Sequence, residues 1–417
     1  MKFAETGKYF TFHFEICLIA LALFLSGCSK DIEVSPSDPV TAPTFISAES
    51  QPDTPSPVDP IPNPEHDSEQ ALGQDFERDP YTTEFAIDRT LAQAVRKNQG
   101  LPDDMPLTKE FAAAITELLL FDGVRIETLN GISNFTSLER LSVSETDCQD
   151  IEELTQMQSL TYIDISWGYI AKIPDFSDCP NLTELHLAAN LIADVAPLCN
   201  ATSLRFVDLS HNDITSVAPL KDVTFLDALC LDANCITDYA AIKDNQTLRR
   251  ALDAASQSSF EYAIQTEERA KNIVSELTDD SMTAENKLAK LYAYIIDNVT
   301  YDESSRSSRP FGYWALFDGK GVCGDYAEGL CLLARHAGLV CKVVSSDTHA
   351  FNAVELDGKW YLFDSLWDDI AEGAPTDYST WNYFGFTTEA AFAMPHHFYD
   401  AKRCPVSEQW LKKITYH

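Results

Sequence analysis

The segments LERLSV (138–143), LTYIDI (160–165), LTELHL (182–187), LRFVDL (204–209) and LDALCL (226–231) begin 22 residues apart, each with an aliphatic residue at its first, fourth and sixth positions. The same interval separates Ile126, Cys148, Ile170, Ile192, Ile214 and Ile236, and Asn190, Asn212 and Asn234 mark a turn in three of the repeats. A unit of this length cannot bury an apolar face by itself. Units stacked coil on coil share one continuous core, with the Asn side chains bonding backbone between coils. Cys148 falls in the isoleucine column and reads as core.

Residues between the buried strand positions face a concave surface. They are Ser142, Asp164, His186, Asp208 and Cys230, flanked by Asp122, Ser166, Ser210 and Asp232, with Tyr162, Glu184 and Phe206 alongside. This face reads as mildly acidic with few large aromatics. It is the expected site for a protein partner, with Asp164, His186, Asp208 and Asp232 as candidate contacts; a merely solvated face is the competing reading. His186 between two aspartates on separate coils is weak support for a metal ion. The pattern marks leucine-rich repeats and resembles the 22-residue class of bacterial surface proteins such as internalins. Helical periodicity over Phe85 to Asn98 and Leu107 to Leu120 precedes the repeats, and the resemblance makes Phe85 to Ile115 a helical N-terminal cap.

Chemistry concentrates in residues 321–369, GVCGDYAEGLCLLARHAGLVCKVVSSDTHAFNAVELDGKWYLFDSLWDD. Cys323 opens a helical pattern (Ala327, Leu330, Leu333, Ala334, Ala337) that Gly338 ends. A thiol at a helix N-terminus gains from unpaired amides and the helix dipole, which favour its thiolate. Cys331 and Cys341 read as small buried hydrophobes. Two strands come next, joined by Asp357-Gly358, a strong hairpin signal. A two-residue loop sets Leu356 against Lys359 and Phe351 against Asp364, which leaves His349 as the diagonal neighbour of Asp364 on the same face. Diagonal neighbours are about 7 to 8 Å apart, within reach of an imidazole and a carboxylate leaning together. Cys323, His349 and Asp364 thus read as nucleophile, general base and orienting carboxylate.

Over roughly residues 285 to 370 the chain resembles the transglutaminase-like superfamily, a papain-like fold with a cysteine heading a helix and a histidine and an aspartate on adjacent strands. The resemblance rests on Val322-Cys-Gly-Asp-Tyr-Ala327, His349-Ala-Phe-Asn352, Gly358-Lys-Trp-Tyr361 and Asp364-Ser-Leu-Trp367. Phe351 stands where Trp is common, and Ser365-Leu366 replaces the frequent Pro-Thr. Upstream, helices are expected over Phe260 to Leu277 and Ala284 to Asn298, the second resembling the helix before the thiol. Tyr313 or Trp314 is placed at the oxyanion site, and a backbone amide near Cys323 is expected to supply one donor. The expected activity is attack on a peptide or carboxamide bond, with the thioester resolved by water or by a lysine amine. The other reading is an adhesion or scaffolding lipoprotein with an inactive transglutaminase-like domain. No EF-hand-like loop occurs, and no metal or cofactor is expected.

Before the repeats, Lys2, Lys8, an apolar run from Ile16 to Leu25 and Leu25-Ser-Gly-Cys28 resemble an export signal with a bacterial lipobox. That implies lipidation at Cys28 and a location outside the cytoplasm, on the membrane or cell surface. Nine prolines between Pro36 and Pro64 mark an extended, disordered tether. The expected architecture is α+β: signal 1–28, tether 29–75, a leucine-rich-repeat solenoid over 76–250, and a papain-like cysteine domain over 255–417. Sixty-five acidic against 30 basic residues give a formal charge of −35, which argues against a nucleic-acid partner. Without Cys17 and Cys28, nine cysteines remain in positions unlike a disulfide framework, although Cys230 and Cys235 are close enough in sequence to pair.

Overall fold

The computed structural model describes residues 77–82, 84–121, 125–143, 146–255, 260–303, 312–346, 348–370, 381–393, 397, 399–409 and 411. The expected signal, Cys28 and tether, and also Asp122, lie outside the described residues.

Six short strands form a parallel sheet in sequence order: β1 (Glu117–Leu120), β2 (Arg140–Val143), β3 (Tyr162–Asp164), β4 (Glu184–His186), β5 (Phe206–Asp208) and β6 (Ala228–Cys230). Neighbouring strands pair residues 22 apart from β2 onward, for example Leu141 with Ile163 with Leu185 with Val207 with Leu229, and all five are fully buried. The asparagines tie coil to coil. Asn212 Oδ1 accepts the Ile192 amide at 2.9 Å, while its Nδ2 donates to Leu187 O at 2.9 Å and Leu209 O at 3.1 Å. Asn190 and Asn234 repeat this one coil earlier and one later. Two positions earlier in the ladder differ. Gly168 takes the asparagine's place, and a Cβ there would lie 2.9 Å from Asn190 Oδ1; Thr146 precedes it and donates to Ile126 O at 2.7 Å.

The N-terminal expectation needs correcting. Helix α1 begins at Arg89 rather than Phe85, because Asp88 caps it by accepting from the Thr90 and Leu91 amides. The Leu107–Leu120 run is not one helix. Helix α2 covers only Lys109–Ala114, Ile115 is extended, and 117–120 becomes β1, with Leu118 and Leu120 inward. Pairing with β2 outweighs the local helical period there. Arg96 on α1 is fully buried and binds Asp79 at 2.9 and 2.5 Å, locking the segment before the helix onto it.

Helix α3 (Gln246–Ala255) closes the far end of the repeat sheet with Leu248, Ala251 and Leu252. Helix α4 (Phe260–Leu277) serves two cores: Phe260 and Ile264 pack with the repeats, whereas Ala270, Ile273 and Val274 pack into the core of the cysteine-bearing half. Then come α5 (Ala284–Asn298), a parallel pair β7 (Thr300–Tyr301) and β8 (Lys320–Gly321), and α6 (Cys323–His336). An antiparallel sheet in the order β12-β11-β10-β9 completes this half: β9 (Val340–Ser345), β10 (Ala350–Leu356), β11 (Lys359–Phe363) and β12 (Phe384–Phe386). Helix α7 (Ser365–Ile370) comes after β11, and α8 (Thr388–Ala393) after β12.

All described residues fall in one contact-dense unit, Phe76–His417. Within it, arginines from the second half dock on backbone carbonyls at the turns of the repeats. Arg335, at the end of α6, donates to Ile214 O at 3.2 Å, Asn234 O at 2.6 Å and Cys235 O at 2.8 Å. Arg403 donates to Gly168 O at 2.8 Å and Ala189 O at 2.9 Å. The turns expose these carbonyls because each coil places a residue in the left-handed region there: Trp167, Ala189, His211 and Ala233 all have φ between 54° and 63°.

Candidate active site

Cys323 is the first residue of α6, and three features hold it there. The β7–β8 pair ends at Gly321, whose carbonyl accepts the Asp302 amide at 3.0 Å. Asp325 reaches back to accept the Val322 amide at 2.9 Å, capping the helix. Gly321 has to be glycine, because a Cβ there would lie 2.3 Å from the Asp325 Cβ. Burial pushes the Asp325 carboxyl up to about 7, so near neutral pH this helix start carries less negative charge than its sequence suggests. Helix α6 lies against β9 and β10, and Asn352 Nδ2 donates to Ala327 O at 2.8 Å, fixing β10 one turn below Cys323.

His349 stands one residue before β10. Its amide donates to Ser346 Oγ at 3.0 Å and its carbonyl accepts the Ser346 amide at 2.8 Å, so a tight turn pins its backbone. The hairpin has the expected register, with Leu356 opposite Lys359 and Asn352 opposite Phe363. Asp357 and Gly358 both have positive φ, 50° and 74°, as a two-residue hairpin turn requires. Asp364 comes directly after the last residue of β11. His349 Nε2 lies 2.5 Å from Asp364 Oδ2, and both side chains are almost wholly buried. Phe351 stacks against the His349 ring at 5.8 Å, and Trp367 meets it edge-on at 6.2 Å.

A second imidazole shares this carboxylate. His397 Nε2 lies 2.8 Å from the same Asp364 Oδ2, and His397 is fully buried. The Trp367 amide donates to Oδ1 at 3.1 Å. Burial alone would push the Asp364 carboxyl up; the His349 charge and the hydrogen bonds of His349 and His397 outweigh it and hold the carboxyl down to about 2. It is therefore ionised at neutral pH and accepts only, so each imidazole donates Nε2–H to it. That tautomer leaves Nδ1 of His349 as the nitrogen able to take a proton. Nearby, Tyr292 on α5 donates to Asp364 O at 2.7 Å and Asp368 Oδ2 at 2.5 Å. Burial pushes the Asp368 carboxyl up to about 6.

Sequence reasoning missed His397. It stands 33 residues beyond Asp364, outside any motif, with no spacing in the sequence that ties it to the carboxylate. Tyr313 stacks on Phe317 at 4.5 Å and meets Tyr262 at 5.1 Å, on the π-helical turn that runs from Trp314 to Asp318 ahead of β8. None of the nine cysteines among the described residues is in a disulfide, Cys230 and Cys235 included, and Cys331 and Cys341 are buried.

The strand register aligns Ser142, Asp164, His186, Asp208 and Cys230 in one row. The adjoining row holds Tyr162, Glu184 and Phe206 as expected, and His186 leans into it: its ring lies 5.1 Å from Tyr162 and 4.8 Å from Phe206, and Arg140 sits 4.0 Å over Tyr162. Ser210 and Ser166 hydroxyls donate to Asp208 and Asp164 within their own turns. His186 thus stacks against both rings while standing between Asp164 and Asp208 in its own row.

Residues 270–365 match the model of the Transglutaminase-like superfamily. Kyphoscoliosis peptidase from Homo sapiens is 26% identical over 172 residues, covering 35% of this chain and 26% of that protein. Its Mus musculus counterpart is 25% identical over 172 residues with the same coverage. The match therefore spans about a quarter of the length of these relatives. Among solved structures, an internalin from Listeria monocytogenes is similar at 25% identity and a TM-score of 0.31, over 37% of this chain and 53% of that one. A Cytophaga hutchinsonii protein provisionally described as a cysteine protease is similar at 22% identity and a TM-score of 0.22, over 24% of this chain and 37% of that one. Scores at that level decide nothing about the fold, which rests on the registers above.

Proposed function

We propose that this protein is a cysteine-dependent acyl-transfer enzyme acting on peptide or carboxamide bonds, with Cys323 as nucleophile, His349 as general base and acid, and Asp364 as orienting carboxylate. The observation that carries this reading is the buried His349–Asp364 pair at 2.5 Å, set at adjoining ends of β10 and β11, with β10 fixed to the helix that Cys323 opens. Asp364 keeps the proton on Nε2, so Nδ1 takes the thiol proton and returns it to the leaving amine. The carbon–nitrogen bond breaks as the tetrahedral adduct on Cys323 collapses to the thioester, and water or a lysine amine then releases the acyl group.

The repeat sheet, taken as a leucine-rich-repeat solenoid, supplies a protein-binding surface through Asp164, His186, Asp208 and Asp232. Lipidation at Cys28 and the tether over 29–75 hold the protein outside the cytoplasm at a membrane. Among the described residues no helix is long and apolar enough to cross a membrane. The test uses an electrophilic acyl amide carrying a reporter: labelling at Cys323 that vanishes in Cys323→Ala, with an unchanged melting profile, supports the enzyme. Absence of labelling at Cys323 over the pH range 5 to 9 favours the adhesion or scaffolding reading instead.

A further inference from the structure

We infer that His397 is a positioning residue for the catalytic carboxylate, and that the repeats hold it in place through the Asp400–Arg403 stretch. The inference rests on the acyl-transfer reading above. Asp364 is buried with three donors among the described residues: His349 and His397 on Oδ2, and the Trp367 amide on Oδ1. Only His349 has a task in proton transfer. His397 completes the carboxylate's set of donors and keeps it from rotating away from His349.

The packing around His397 is built for a fixed ring. Tyr383 stacks on it at 5.6 Å and 11°, while Phe351, Trp367 and Phe386 close the other sides at 5.0 to 5.6 Å. Among the described residues, the titratable groups facing it include His349, Asp364 and Tyr383, with Asp368 behind Tyr383. His349, Asp364 and His397 together could also be read as metal ligands. The separations argue otherwise: 2.5 and 2.8 Å are charge-assisted hydrogen bonds, whereas two ligands about 2.0 to 2.1 Å from a tetrahedral zinc stand roughly 3.3 Å apart.

Three residues beyond His397 the chain reaches the repeats. Tyr169 donates to Asp400, Lys402 Nζ lies 3.4 Å from Asp147, and Arg403 binds the carbonyls of Gly168 and Ala189. A short stretch thus runs from the turns of the repeat sheet to the carboxylate of the site, and a partner that shifts those turns would act on Asp364 through His397.

The test is the pH dependence of Cys323 alkylation by iodoacetamide in the full chain, read by peptide mass. His397→Leu is expected to raise the pH of half-maximal reaction by about one unit, a tenfold loss of rate on the acid side. His397→Gln keeps an amide donor facing Asp364 and is expected to restore the wild-type midpoint. Arg403→Ala is expected to move it the same way as His397→Leu, by less. An unmoved midpoint in His397→Leu, with His349→Ala still abolishing the low-pH reaction, overturns the role of His397 alone. A midpoint at the ordinary thiol value in the wild type, unmoved by His349→Ala, removes the acyl-transfer reading and this inference with it. Zinc retained in stoichiometric amount after dialysis, and lost in His397→Leu, also overturns it in favour of a metal site.

Discussion

The repeat sheet and the cysteine-bearing half of the molecule solve the same problem, burying backbone and polar groups, in opposite ways. In the repeats the solution is copied. Asn190, Asn212 and Asn234 each accept one amide of the preceding coil and donate to three carbonyls, and each core aliphatic residue stacks on its counterpart one coil away. Around Asp364 nothing is copied: one carboxylate collects three donors, and Asp368, Tyr292 and Tyr383 interlock behind it. Redundancy spreads the consequence of a change over neighbours, while a single-copy network concentrates it. The repeats should therefore lose stability on substitution, and the site should lose chemistry.

The largest expected effect is on chemistry. Asp364→Asn frees the His349 tautomer and should slow acylation of Cys323 by the reporter amide by about 10³ to 10⁴, in line with the loss seen when an orienting carboxylate is neutralised; single-turnover kinetics at pH 6 measure it. A loss under tenfold would mean that Asp364 is only structural.

Next comes the shared core of the repeats. Leu185 is fully buried between Ile163 and Val207, and Leu185→Ala should cost about 3 to 4 kcal/mol in urea unfolding while leaving the alkylation midpoint where it was. A shifted midpoint would show that the repeats and the site are coupled more tightly than their separate cores suggest.

A third prediction concerns pH. The Asp325 carboxyl is raised from 3.8 to about 7 by burial, so the fold favours its neutral form. That stability is fully present below about pH 4 and is lost as pH rises through 7. Asp364 runs the other way: its carboxyl is lowered to about 2, so its contribution is present above pH 4 and fades only in strong acid. Asp325→Asn keeps an acceptor for the Val322 amide and carries no charge. Relative to wild type it should gain about 4 kcal/mol at pH 8 and almost nothing at pH 4; equal unfolding midpoints at both pH values would contradict the assignment.

The smallest effect is expected from the ladder itself. Asn212→Ala strands the buried Ile192 amide and should cost about 2 kcal/mol, less than the leucine change because neighbouring coils keep their own asparagines. A cost as large as that of Leu185→Ala would mean that the ladder, rather than the core, holds the coils together.

The two halves were also unequally legible in the sequence. A 22-residue period repeats its own signal, so strands β2 to β6 and the Asn ladder could be placed from spacing alone. The first repeat strand could not, because residues 117–120 continue the apolar rhythm of α2 and only pairing with β2 makes them extended. In the other half Asp357-Gly358 set the hairpin register, and with it the approach of His349 to Asp364. His397 was illegible for the opposite reason: it reaches Asp364 by tertiary packing alone, with no period, turn or spacing to announce it. Arg335 and Arg403 were equally silent, since their partners are backbone carbonyls 100 or more residues away.

The central claim is that Cys323 is an activated nucleophile, and the most direct measurement is the pH dependence of its alkylation in the full chain, with and without His349→Ala. The account predicts half-maximal reaction well below the free-thiol value of roughly 8.5, rising to that value when His349 is removed. Slow alkylation with an ordinary midpoint, indifferent to His349, would contradict it.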